Sequence, residues 1–173
     1  MKKTYVTAIC LAMVFACSNM LFAQDKSNRP SPPAQATASL EGIDVTIDYS
    51  RPSVKGRKIF GELVPFGKVW RTGANESTWI DVSENVKIDG QELPKGRYAL
   101  FTIPGEDSWT IIFNKKWQDW GAYKYDESLD ALRIDVKSAA AESATEMFTI
   151  AISDGGKTTL SWENTMVAFN ISK

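Results

Sequence analysis

From Ile43 to Ser50 the chain alternates without a break: Ile43, Val45, Ile47 and Tyr49 are apolar or aromatic, while Asp44, Thr46, Asp48 and Ser50 are polar. Period two sends successive side chains to opposite faces, so the pattern predicts a strand with one buried and one wet face. Pro52 ends it, because proline has no N–H to give a ladder. Short apolar runs recur at 79–82, 86–88, 99–103, 109–113, 132–136, 148–152, 160–162 and 167–171. The run at 109–113 is apolar except for Thr110 and reads as a strand buried on both sides. Turn chemistry separates these runs: Asp89-Gly90 is a hairpin dipeptide, and Pro104-Gly105-Glu106-Asp107 and Asp154-Gly155-Gly156 are further turns. Tyr98, two residues past Gly96, has the placing of a tyrosine corner.

Three stretches do not alternate. Residues 114–130 carry Trp117, Trp120, Tyr123 and Tyr125 on a polar background and read as a long loop or a helical turn broken at Gly121. The Ala/Ser/Glu run 138–145 reads as a connector. Phe66 to Trp79 sets two indoles around Arg71, Thr72, Gly73, Ala74, Asn75, Glu76, Ser77 and Thr78, the pattern of a folded-in loop. No long helical period follows residue 23. The expected fold is all-β, an antiparallel sandwich or jelly roll of eight to nine short strands.

The first 23 residues are a different kind of segment. Lys2 and Lys3 precede an apolar run from Ala8 to Phe22, and Ala23 before Gln24 suits cleavage, so 1–23 reads as a signal peptide. Val14-Phe15-Ala16-Cys17 offers the alternative of a lipobox, with Cys17 acylated as the mature N-terminus. The expected location is periplasmic or secreted, or lipid-anchored through Cys17. Residues 24–38, with Arg29-Pro30-Ser31-Pro32-Pro33, read as linker or edge-strand material, and 39–173 as one β-domain.

Composition narrows the chemistry. Histidine is absent, and the only cysteines, Cys10 and Cys17, lie in the leader, so the domain has no disulfide to form. The usual ligands of zinc, copper and haem are missing, as are the bases of Ser-His-Asp and Cys-His catalysis. No metal or cofactor is expected. Without Lys2 and Lys3, 18 basic side chains face 21 acidic ones, a formal charge of −3, which does not suggest a nucleic-acid partner. No second apolar run approaches a membrane span.

Several segments resemble a known family: Tyr49-Ser50-Arg51-Pro52-Ser53-Val54-Lys55-Gly56-Arg57, then Val64-Pro65-Phe66-Gly67-Lys68-Val69-Trp70-Arg71-Thr72-Gly73-Ala74-Asn75-Glu76, residues 96–104, and Trp120-Gly121-Ala122-Tyr123. They are similar to domain-of-unknown-function family 2911, over about Ser31 to Ile171. The resemblance implies an exported, all-β bacterial protein. It supplies no reaction or site residue.

Candidate chemistry therefore comes from the residues themselves. Arg71 could fork a carboxylate, phosphate or hydroxyl pair, with Asn75 and Glu76 completing a polar pocket; alternatively Arg71 and Glu76 pair with each other or with backbone and pin the loop. Trp120 and Tyr123 could stack on a sugar, or the aromatics of 117–125 could anchor a long loop to the sheet. Arg51, Lys55, Arg57 and Lys58 could face an anion or form a solvated turn. Asn75-Glu76-Ser77 matches a glycosylation tripeptide, a pattern common by chance. The favoured expectation is non-catalytic binding of a glycan or small polar or anionic ligand in the cell envelope, through Arg71, Asn75, Glu76, Trp120, Tyr123, Arg51 and Arg57. Alternatives are a metal-free, histidine-free hydrolase or lyase using Glu76 with Tyr123 or Asp48, and a module that docks an envelope protein partner.

Overall fold

The alternation at 43–50 buries Ile43, Val45, Ile47 and Tyr49 and leaves Asp44 exposed, the division period two requires. This strand, β2 (Ile43–Ser50), belongs to a computed structural model that describes residues 28–173. Residues 1–23, which the sequence reads as a signal peptide, both cysteines and the start of the 24–38 segment lie outside the described residues. The other strands are β1 (Pro33–Leu40), β3 (Trp79–Val82), β4 (Val86–Ile88), β5 (Gln91–Leu93), β6 (Gly96–Ile103), β7 (Ser108–Asn114), β8 (Asp130–Ile152) and β9 (Lys157–Ser172). The segment read as linker or edge strand thus runs into β1, which lies at one edge of the sheet; its Ala36 and Leu40 are buried, and the uncharged stretch Ala34 to Leu40 pairs along β2.

All pairings are antiparallel, in the order β1-β2-β3-β6-β7-β8-β9-β4-β5. Strand β8 carries the ladder from one layer to the other. Up to Lys137 it pairs with β7, and from Ser138 onward it pairs with β9. The 138–145 run is therefore strand and not a connector. The expected alternation is missing there because the register with β9 slips between Ala140 and Thr145, and an irregular ladder frees side chains from strict in-and-out placement.

The core forms between the layers. Tyr49 meets Phe148 edge-on at 5.8 Å and Phe113 meets Phe169 at 5.9 Å, while Tyr49 Oη donates to the Ile150 carbonyl at 3.3 Å. Phe60, Trp70, Trp109, Phe148 and Trp162 form one aromatic cluster, in which Trp70 lies nearly parallel to Trp162 at 5.7 Å. Strands β6 and β7 are both buried on two sides, which the apolar run predicts for β7 alone: the outward Ala99, Phe101 and Ile112 are covered by Val69, Trp117, Ala122 and Tyr125. The tyrosine corner is present, with Tyr98 Oη donating to the Pro94 carbonyl at 2.9 Å. Among the described residues, no helix is long and apolar enough to cross a membrane.

Candidate ligand-binding cleft

The loop before β3 is built by backbone constraint. Trp70 and Thr102 exchange backbone hydrogen bonds at 2.8 and 3.0 Å, fastening the loop to β6. Thr78 Oγ1 donates to the Thr72 carbonyl at 2.7 Å, and Ser77 Oγ donates to the Gly121 carbonyl at 2.6 Å. Gly73 has φ of +154°, and a Cβ there would stand 2.9 Å from the Ser50 carbonyl oxygen, so the turn needs glycine. Thr72 and Asn75 also take positive φ, at 56° and 61°. Strain at neighbouring non-glycine positions marks a loop whose shape is set by its surroundings.

The predicted site residues separate into different roles. Glu76 does not pair with Arg71. Its carboxylate accepts from Arg29 Nη1 at 2.8 and 3.0 Å, across 47 residues of sequence. Asn75 Nδ2 donates to the Ser31 carbonyl at 3.1 Å. These two side chains hold the Arg29–Ser31 segment against the loop. Arg71 Nη1 donates to the Asn75 carbonyl at 2.9 Å, and among the described residues the guanidinium has no ion pair. It is half-buried, neither sealed off nor matched by an opposite charge.

Beside Arg71 opens a cleft of about 390 Å³, within the range of roughly 300–1,000 Å³ typical of small-molecule sites. Pro30 and Ser31 form one wall, Val64, Pro65, Trp70 and Trp162 supply apolar surface, and Lys55, Arg57, Lys68 and Arg71 supply charge. Among the described residues, no Asp or Glu lines it. Arg57 donates to the Ser53 and Val54 carbonyls, which fixes its guanidinium near the mouth. Arg51, by contrast, bonds the Phe148 carbonyl and Thr149 Oγ1 at 3.1 and 2.7 Å and ties its loop to β8, outside the cleft lining. Lys68 and Trp162 escaped the sequence reading. Lys68 had one signal, its place two residues before Trp70; Trp162 had none, because its strand pattern matches ordinary core.

The 115–126 loop splits its aromatics evenly. Trp117 and Tyr125 pack on the outer face of β6 and β7, and Tyr125 Oη donates to Asp130 Oδ2 at 2.6 Å. Burial, then that hydrogen bond, pushes the Tyr125 phenol well above its ordinary range. Trp120 and Tyr123 remain 56% and 84% exposed. The Arg71 guanidinium carbon lies 5.9 Å from the Tyr123 ring centre, and a Cβ on Gly121 would approach that carbon to 3.3 Å. Glycine here lets the cation lie across the loop.

A second cleft of about 270 Å³ lies between β2 and the 117–119 segment. Asp48 and Glu76 both line it, with Asp119, Tyr49, Trp79 and Trp117. Tyr123 is outside that lining, so the pairing of Glu76 with Tyr123 is not assembled there. Asp119 is bonded by Lys116 at 3.0 Å. Among the described residues no group of three or more acidic, histidine or cysteine side chains is placed to hold a metal.

Comparison with known proteins adds one relationship. No curated protein and no solved structure matches the chain. A family model matches residues 31–171, which takes in β1 to β8, all but the last residue of β9, and the loops that carry Arg71 and Trp120 to Tyr123. The chain belongs to the family described as protein of unknown function (DUF2911).

Proposed function

We propose that the cleft beside Arg71 receives a small anionic ligand, without catalysis, in the cell envelope. One observation carries the reading: Lys55, Arg57, Lys68 and Arg71 converge on a space that, among the described residues, no carboxylate lines. Like charges brought together in a concave, partly apolar site repel one another and raise the local potential, and a bound anion relieves both effects. The concentration is local, since the chain past its leader is net acidic. Trp70, Trp162, Val64 and Pro65 offer contact to an apolar portion of the ligand, and the half-buried Arg71 offers planar hydrogen bonding to a carboxylate or phosphate. Asn75 and Glu76 act on the wall, through Ser31 and Arg29, more than on the ligand.

Isothermal titration with a panel of mono- and dicarboxylates, sugar acids and phosphate esters tests this. Binding should weaken as salt rises, and Arg71→Ala should weaken it roughly 10- to 100-fold, the equivalent of one charge-assisted hydrogen bond. Lys137→Ala, an exposed cation on β8, should leave it unchanged. Binding by no anion, or equal loss in both variants, refutes the reading. The envelope location rests on the leader segment; the mass of the mature N-terminus distinguishes a start at Gln24 from an acylated Cys17.

A further inference from the structure

We infer that the ligand extends out of the cleft across Tyr123 and Trp120, and that its class is an acidic oligosaccharide. This rests on the anionic reading of the cleft and deepens it. The exposure of these rings does not come from a slack loop. Trp117 and Tyr125 anchor it from beneath, Ser77 bonds the backbone at Asp119 and Gly121, and Glu76 and Trp120 form an isolated rung of β-ladder. A loop fixed at that many points still leaves one indole and one phenol facing water, although each ring offers a large area to bury.

Arg71 joins the two regions. It lines the cleft and also lies against the Tyr123 ring and Gly121, so a molecule seated on its guanidinium meets the aromatic shelf next. A sugar ring presents flat C–H faces for stacking, and a uronic acid adds one carboxylate per ring for the Lys and Arg side chains. An acyl chain would want continuous apolar surface, and here the rings adjoin a cation.

Titration with galacturonate, its trimer and a neutral trimer of glucose separates the possibilities. The acidic trimer should bind roughly tenfold more tightly than the monomer, about the gain of one or two aromatic contacts. Trp120→Ala should remove part of that gain and leave monomer affinity unchanged, and Tyr123→Ala, whose ring also lies against Arg71, should remove part of it with a smaller change in monomer affinity; both side chains are exposed, so the fold should persist. A monomer that binds with no trimer advantage, or a trimer advantage untouched by both variants, overturns the extension and leaves the cleft reading standing. A neutral trimer that binds as well as the acidic one also overturns it. Binding by none of the three sugars, while another anion from the panel binds, rejects the saccharide class alone; silence across every anion rejects both readings.

Discussion

Arg97 on β6 is the clearest place to test how the 115–126 loop is held. Its guanidinium carbon lies 4.0 Å from the Trp79 ring centre and 4.8 Å from that of Trp117, and its Nε donates to Asp81 Oδ2 at 2.8 Å. The cation is thus shared between an indole on β3 and an indole on the loop. Each cation–π contact at a partly exposed site is worth about 0.5–1 kcal/mol. A half-exposed ion pair adds about 0–1 kcal/mol. Arg97→Ala should therefore cost roughly 1–3 kcal/mol, or about 2–12 °C in Tm for a domain of this size. Arg97→Lys keeps the charge but loses the planar face and should fall between the two. Asp81→Asn removes only the ion pair and should cost less than about 1 kcal/mol. Thermal and urea unfolding measure all three, and iodide quenching of tryptophan should rise in Arg97→Ala as Trp117 loses its cover. Arg97→Ala as stable as wild type would refute the stacking argument. Asp81→Asn as damaging as Arg97→Ala would instead assign the whole effect to the ion pair.

Two other outcomes follow from the site. Glu76→Gln removes the charge that holds Arg29; it should cost about 1 kcal/mol of stability and loosen anion binding several-fold by freeing the Pro30–Ser31 wall, and unchanged affinity in calorimetry would show that the wall does not need the clamp. Tyr125 has its phenol raised by burial and by Asp130, so its contribution is fully present below the ordinary phenol value of about 10 and declines as pH climbs beyond it; Tyr125→Phe should flatten the fall in urea midpoint above about pH 10, and an identical slope in both proteins would contradict that.

The sequence was most legible where one face is wet. Strand β2, strand β3, the turn at Asp89-Gly90 and the Tyr98 corner all follow from local pattern and turn chemistry. It was least legible where a partner lies far along the chain. Nothing local tells Glu76 to choose Arg29 over the nearer Arg71. Strand β8 hides in an Ala/Ser/Glu run because the slipped register there removes the period that reveals strands elsewhere. The cleft depends on bringing 30–31, 55–57, 64–74 and Trp162 together, and only the packing of the two layers does that. Composition could say that cations existed in the 51–58 turn, but not that Lys55 and Arg57 would face Lys68 and Arg71 while Arg51 turned to β8.

The ladder has a consequence for the order in which the molecule can assemble. Strands β4 and β5 join the rest of the ladder through β9, with Lys87 opposite Ser172 and Ile88 opposite Ile171. That middle hairpin therefore has no ladder neighbour until β9, far downstream of it, has been synthesised. A nascent chain that has not yet reached β9 carries Ile88 and Leu93 without that neighbour, which leaves the hairpin open to whatever handles the chain next.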